Sequence, residues 1–246
     1  MSTPPIEAEK RLDLLLQIKD FAPSAEFAAQ AKVADQAIYE QAAADQPGWW
    51  ADQARQRLDW AAPFTEVLDD SNPPFYRWFA DGTLNVSYNC LDRHVQAGHG
   101  DRVAFHWHGE EGEQRDLTYA ELLADVQRLA NGLKARGVTK GDMVGIYLPM
   151  IPEVVVAMLA CARIGAPHNV VFGGFAPSAV RERLEVSSAK ALITADGSRR
   201  KGKTVPVKSA VDGAVDDLAT LQTIVVVRSC GGIGRASCRE RVYGLV

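Results

Sequence analysis

The sequence predicts an α/β fold in which a mostly parallel sheet is flanked by helices and preceded by a helical and aromatic extension. From about Arg102 onward the hydrophobic pattern alternates strand and helix, which indicates parallel βαβ units. Residues 1–90 lack this alternation. The composition, 47% hydrophobic and 24% charged over 246 residues, is typical of a soluble globular protein. A net charge of −4 argues against a dedicated nucleic-acid binder, which is usually basic.

Residues 1–90 are predicted to form the amino-terminal extension. Glu7–Ile18 and Ala25–Ala44 are rich in alanine and leucine and predict two helices. An aromatic and proline-rich segment follows, which we interpret as an arm that docks on a larger domain. Its members are Trp49, Trp50, Trp60, Pro63, Phe64, Pro73, Pro74, Phe75, Tyr76, Trp78 and Phe79. A stacking platform for bases is the alternative, but it needs more interleaved basic residues than this segment contains.

Residues 91–228 are predicted to be the first part of the domain that carries the sheet. Five apolar runs predict its strands: Val103–His108, Met143–Leu148, Ala166–Phe172, Ala191–Thr194 and Thr223–Val227. The helices between them are marked by their ends. A capping box of Thr118 and Glu121 opens the first, which stops at Gly137; the others are Pro152–Ile164, a helix opened by Pro177, and Val207–Leu218.

Two further patterns bear on the location of the protein. Met143–Ala162 is nearly uncharged, but Pro149 and Pro152 interrupt it, so it favours a strand, a turn and a helix over a membrane span. The four cysteines have neither a metal-ligand spacing nor a disulfide framework, and Met1–Lys10 has no targeting character. We therefore expect a cytoplasmic protein.

The most basic segment, residues 198–208, carries five positive charges and no acid. It follows a predicted strand, where α/β sheets usually bind ligands, and arginine with lysine suits a terminal phosphate. A solvated basic loop is the alternative. The segment 197–204 also satisfies the P-loop pattern GxxxxGK[ST], which would indicate an NTPase or kinase. Pro206 would lie in the first turn of the helix that a P-loop requires, so we place this reading second.

Two other features are open to more than one interpretation. The glycines of Phe172–Phe175 would let a backbone or a ligand approach closely, although a tight turn with core phenylalanines explains them as well. His106 and His108 share one face of a strand, and without nearby ligand spacing they indicate a polar face rather than a metal site.

Several of these segments together resemble the acetyl-CoA synthetases, within the AMP-forming acyl-CoA ligases. The resemblance begins with Leu58–Trp60 and Pro63–Phe64, and it is strongest in Trp78–Asn85 (WFADGTLN) and Asn89–His94 (NCLDRH). It continues through Leu117–Leu122, Gly141–Met150, Ala157–Ala166, Val171–Phe175, Ile193–Gly197 and the basic segment. In all, it covers about residues 30 to 228.

The resemblance implies the partial amino-terminal domain of an adenylate-forming enzyme. Such a ligase converts acetate, ATP and CoA to acetyl-CoA, AMP and pyrophosphate through acetyl-adenylate, with Mg²⁺, and its partners are these small molecules rather than nucleic acid or membrane. It implies no catalytic residue and no metal ligand in this chain. It does imply a CoA-binding set that consists of Phe172, Gly173, Gly174, Arg200, Lys201, Gly202 and Lys203. Lys203 stands where some members have arginine, so a bidentate clasp becomes a single ionic contact.

The resemblance also has limits. The phosphate loop, the acyl pocket and the adenylation lysine of the family match nothing in the sequence, so we expect these residues alone to be inactive and poorly soluble. A CoA- or nucleotide-binding module without chemistry stays an alternative. Residues 229–246 form an aberrant tail, because Gly232–Val242 resembles a translated DNA-sequencing adapter. We expect the tail to be poorly packed and to carry no function.

Overall fold

The computed structural model describes residues 22–33 and 36–231 and the strand Glu240–Tyr243. The chain divides into two compact units. The first comprises Met1–Arg57 and Val67–Trp78, and the second comprises Leu58–Glu66 and Phe79–Val246. The predicted α/β fold is confirmed, because the second unit holds a parallel sheet with helices on both of its faces.

The described residues of the first unit are mostly helical, with one pair of very short strands. Its helices are α1 (Ala25–Ala29), α2 (Ala37–Ala44) and α3 (Gln46–Arg57), and its strands β1 (Leu68–Asp69) and β2 (Arg77–Trp78) pair antiparallel. The prediction of a single helix over Ala25–Ala44 is therefore wrong. The Gln30 amide bonds to the Phe27 carbonyl three residues back, which closes α1 after five residues. The predicted helix Glu7–Ile18 lies outside the described residues.

Among the described residues, five parallel strands form the sheet of the second unit: β5 (Val144–Tyr147), β6 (His168–Val170), β7 (Ala191–Ala195), β10 (Thr223–Val227) and β11 (Glu240–Tyr243). Their order across the sheet is β11-β10-β7-β5-β6. The side chains of β5 and β7 are buried along their whole length, as expected of central strands in a parallel sheet. Four of the five predicted strands are thus confirmed as members of this sheet.

The fifth predicted strand, β3 (Val103–His108), exists but does not join the sheet. It pairs antiparallel with β4 (Gln114–Thr118) in a separate hairpin, which corrects its assignment to the βα alternation. Its side chains are only partly buried, whereas those of the central strands are enclosed. The partner strand begins Gln-Arg-Asp, a polar sequence that gave no hydrophobic signal.

Among the described residues, the α-helices of the second unit are α4 (Tyr119–Lys134), α5 (Glu153–Ile164), α6 (Pro177–Val186) and α7 (Lys208–Val215). The predicted capping box is confirmed, with the Glu121 amide donating to Thr118 Oγ1 at 3.2 Å and the Thr118 amide donating to Glu121 Oε2 at 2.9 Å. Helices α4 and α5 bury their apolar sides in one cluster, and α6 and α7 in another. Ile193 belongs to the first cluster and its neighbour Leu192 to the second, because successive strand residues face opposite sides of the sheet.

Three further predictions concern the remaining segments. Trp60, Phe64 and Phe79 pack against one another in the second unit, with ring centroids 4.5–5.9 Å apart, while docking of the arm as a whole stays a prediction. Among the described residues, no helix has both the length and the apolar character needed to cross a membrane. Of the tail, Glu240–Tyr243 forms the edge strand β11, and residues 232–239 and 244–246 lie outside the described residues.

Candidate ligand site

A cavity of about 500 Å³ lies in the second unit beyond the carboxyl ends of its parallel strands. Connections that follow three strands form it: Leu148–Ile151 after β5, Val171–Gly174 after β6 and Ser198–Arg200 after β7. The hairpin of β3 and β4 closes one side, with Trp107 among the lining residues. This edge is where open α/β sheets bind their ligands.

One wall of the cavity is the Phe172–Phe175 turn. The Phe175 amide donates to the Phe172 carbonyl at 3.0 Å, which makes the turn tight. Tyr147, at the end of β5, donates a hydrogen bond from its hydroxyl to the Phe175 carbonyl oxygen at 2.8 Å. Phe172 lines the cavity, and 62% of its surface is exposed. The alternative interpretation of this segment, a tight turn with core phenylalanines, is therefore wrong for Phe172.

Space requires a glycine at the first of the two glycine positions in this turn. A Cβ on Gly173 would lie 2.8 Å from the Leu148 carbonyl oxygen, and one on Gly174 would lie 2.8 Å from the Phe172 ring. The first contact is with backbone, which cannot rotate away. The close approach that the sequence indicated therefore occurs between two backbone segments of the protein itself.

Another wall is a basic hairpin formed by β8 (Gly197–Arg200) and β9 (Lys203–Pro206). Lys201 and Gly202 make the turn with φ of 51° and 71°, as the tight turn of a two-residue hairpin requires. In a P-loop the Lys-Thr pair would begin a helix, but here Lys203 and Thr204 lie in a strand. This hairpin rules out the P-loop alternative and the NTPase or kinase that it would indicate.

The charges of the basic hairpin are unequally paired. Arg199 forms an ion pair with Glu111 at the tip of the β3–β4 hairpin, and this hydrogen bond raises the pKa of the guanidinium. The Lys201 amide donates to a Glu110 carboxylate oxygen from the same tip. The structure gives the Arg200, Lys201 and Lys203 side chains no ion-pair partner among the described residues. Arg200 lines the cavity, so an unneutralised guanidinium borders the space.

Asp196 fixes the base of the basic hairpin. Its buried carboxylate oxygen Oδ1 accepts hydrogen bonds from three amides: Gly197 at 2.8 Å, Ser229 at 2.8 Å and Cys230 at 3.0 Å. Its carbonyl accepts from the Val207 amide at 3.2 Å, beyond the other end of the hairpin. One residue therefore holds both ends of the basic hairpin at the edge of the sheet.

The structure brings four of the seven predicted CoA-binding residues to one cavity: Phe172, Gly173, Gly174 and Arg200. Lys201, Gly202 and Lys203 lie farther along the same hairpin and do not line that space. Sequence reasoning missed Tyr147, Glu110, Glu111 and Asp196. Of these, only the Asp-Gly pair after a buried strand carried a local signal, that of a turn.

The other candidate side chains do not form a site. His106 Nδ1 lies 2.6 Å from an Asp116 oxygen on an exposed strand face, in agreement with the polar face we predicted. The described residues contain no group of three or more histidine, cysteine or acidic side chains placed to hold a metal ion. Cys161 is buried in α5, and burial raises the pKa of its thiol to about 12, which keeps it unreactive.

Comparison with known families accounts for most of the chain. Residues 91–233, more than half of the sequence, match the family described as AMP-binding enzyme. Residues 35–90 match the one described as acetyl-coenzyme A synthetase N-terminus.

Similar proteins include three acetyl-coenzyme A synthetases. That of Streptomyces avermitilis is 57% identical over 91% of this chain, that of Thiobacillus denitrificans 50% over 92%, and that of Mycolicibacterium smegmatis 51% over 86%. The matches span 34%, 35% and 22% of those proteins, so the chain covers about a third of their length or less. The structure of an acetoacetyl-CoA synthetase from Streptomyces lividans superposes on 89% of this chain and 36% of its own, with a TM-score of 0.77 and 27% identity.

Proposed function

The chain belongs to the AMP-binding enzyme family, and from that premise we propose that it supplies the CoA-binding part of an acetate–CoA ligase. In the proposed reaction, acetate displaces pyrophosphate from ATP to give acetyl-adenylate, and the CoA thiol then displaces AMP to give acetyl-CoA. The names of the similar proteins reported above support this choice of acid and acceptor. ATP and CoA are the expected substrates, and Mg²⁺ is the expected metal cofactor.

The observation that supports the proposal best is that one cavity is lined by both an aromatic and a basic wall. An exposed phenylalanine lies on one wall, and the Arg200 guanidinium, which has no ion-pair partner among the described residues, lies on another. We propose that Phe172 stacks on the adenine of CoA, because an aromatic ring buries a large flat area against a base. Arg200 and Lys203 bind its 3′-phosphate, since a guanidinium offers a fork of donors and an ammonium a mobile point charge. Lys201 and Gly202 shape the turn between those two cations.

The rest of the proposal concerns the chain as a whole. We propose that residues 1–90 form an extension, that residues 91–228 form the first part of the adenylation domain, and that residues 229–246 carry no function. We also propose a cytoplasmic location, with acetate, ATP and CoA as partners and neither nucleic acid nor a membrane among them. The 246 residues by themselves are expected to show no acetate-dependent exchange between ATP and pyrophosphate, because the resemblance assigns them no adenylation residue.

A chimera tests the proposed function. Residues 22–228 would replace the matching segment of the Streptomyces avermitilis acetyl-coenzyme A synthetase, to which the chain is 57% identical. We expect the chimera to make acetyl-CoA from acetate, ATP and CoA, and to exchange pyrophosphate into ATP only when acetate is present. A chimera that elutes as a single folded species yet makes no acetyl-CoA would contradict the proposal.

A further inference from the structure

We infer that Tyr147 is a positioning residue for the ligand site, because its hydroxyl holds the Phe172–Phe175 turn in place. Tyr147 is the last residue of β5 and is only 6% exposed. Its hydroxyl oxygen lies 2.8 Å from the Phe175 carbonyl oxygen and 3.4 Å from that of Gly173. The inference rests on the proposed function only in taking this turn as part of the CoA site.

The position of Tyr147 explains why the turn needs it. The last backbone bond between β5 and the connection after β6 runs from the Val171 amide to the Ile146 carbonyl, at 2.8 Å. Beyond Val171 the strand pairing ends. Tyr147 is the next residue along β5, and its hydroxyl bonds to the Phe175 carbonyl at the far end of the turn. A side-chain hydrogen bond thereby joins β5 to the turn beyond the last backbone bond.

Few other contacts fix this turn. Its internal backbone bond joins Phe175 to Phe172, and the Arg183 guanidinium lies 4.8 Å from the centre of the Phe175 ring. Neither contact joins the turn to β5. The Tyr147 bond does so, beside the close packing of Gly173 against the Leu148 carbonyl. Burial raises the pKa of the Tyr147 hydroxyl, so the group keeps its proton and remains a donor at neutral pH.

The orientation of Phe172 depends on that tie. Its ring is 62% exposed and meets the Phe175 ring edge-on at 5.9 Å. A side chain with so little packing is held mainly by its own backbone. Releasing the turn therefore spreads the Phe172 ring over several positions, and a base that stacks on it must first restore the bound arrangement.

Tyr147→Phe removes the hydroxyl and keeps the ring. The matched control is Tyr88→Phe, which also deletes one hydroxyl bond, from Tyr88 to Gln96 Oε1 at 2.9 Å, away from the cavity. Hydrogen exchange would be followed in the turn, at the Phe175 amide, and in β7 as a reference. We expect exchange at Phe175 relative to β7 to rise several-fold in Tyr147→Phe and to stay unchanged in Tyr88→Phe.

The second measurement is the affinity of the full chain for CoA, determined by calorimetric titration. We expect Tyr147→Phe to weaken it by about 3- to 10-fold, the range for one neutral hydrogen bond, and Tyr88→Phe to leave it unchanged. An unchanged ratio of exchange between Phe175 and β7 in Tyr147→Phe would overturn the inference. If the wild-type chain binds no CoA, the proposed site fails, while the exchange ratio still decides the role of Tyr147.

Discussion

The two walls of the cavity are held in place by different interactions, one by packing and the other by charges. The Phe172–Phe175 turn is pressed against the backbone of Leu148 and tied to the buried Tyr147, so the core of the second unit fixes it. The basic hairpin stands largely exposed, and only its base is fixed, by Asp196. Its outer part is held by charges, through Glu110 and Glu111 of the neighbouring hairpin.

This difference suggests a division of labour within the site. A wall fixed by packing presents a ring and backbone in one geometry, which suits a flat base. A wall that carries its charges on an exposed hairpin, held at its outer part by Glu110 and Glu111, can adjust to an anion and gains its affinity from electrostatic attraction. Changes to the first wall should therefore alter geometry, and changes to the second should alter affinity for charge.

The largest effect is expected from removing two cations of the basic hairpin, Arg200→Ala with Lys203→Ala. Each charge-assisted contact to a phosphate contributes about 1.5–3 kcal/mol, so the pair should weaken CoA binding at least about tenfold. Titration of the full chain with CoA measures this. Arg128→Ala with Lys134→Ala on α4 removes the same charge elsewhere and should have little effect. Equal losses in both pairs would point to net charge rather than to the hairpin.

Gly173→Ala tests the packed wall. The new methyl group would lie 2.8 Å from the Leu148 carbonyl oxygen, so the turn or the end of β5 must shift. Overpacking of this kind costs about 1–3 kcal/mol, and we expect a lower melting temperature together with weaker CoA binding. Thermal unfolding followed by circular dichroism checks the first effect. A variant as stable as the wild type would show that the turn is looser than described.

Gly202→Ala is the matching change in the charged wall, and we expect it to act differently. No atom lies within 4 Å of the added methyl group, but the φ of 71° disfavours alanine by about 1 kcal/mol. The strain falls on an exposed turn, so it should reduce CoA affinity by a few-fold and leave the melting temperature almost unchanged. A clear loss of thermal stability would mean that the hairpin is part of the cooperative core.

The smallest effect is expected from Glu111→Gln, which removes the partner of Arg199. Exposed ion pairs contribute little and are screened by salt, so CoA affinity should change by less than about fivefold. The difference between variant and wild type should shrink further as the salt concentration rises. Glu182→Gln, on the exposed side of α6, serves as the control for lost charge. A tenfold change in Glu111→Gln would show that the ion pair sets the geometry of the basic hairpin.

The sequence predicted those parts of the fold whose signals are local. The apolar run Thr223–Val227 correctly predicted a strand, and the Thr118 capping box correctly predicted the start of a helix. Both succeeded because burial and capping depend on the residue types within a short segment. The strands β4, β8 and β9 were missed because they are polar and depend on a partner for their pairing. The seven site residues came from family resemblance. Tyr147 and Glu111 were missed because each acts on residues more than twenty-five positions away in the chain, which no local pattern shows.

One titration tests most directly whether the basic hairpin binds the 3′-phosphate of CoA. The full chain would be titrated with CoA and, separately, with 3′-dephospho-CoA, which differs only in that phosphate. Binding to Arg200 and Lys203 predicts that CoA binds at least about tenfold more tightly at low salt, with the difference falling as salt is added. Equal affinity for the two compounds would contradict the claim and would remove the basic hairpin from the site.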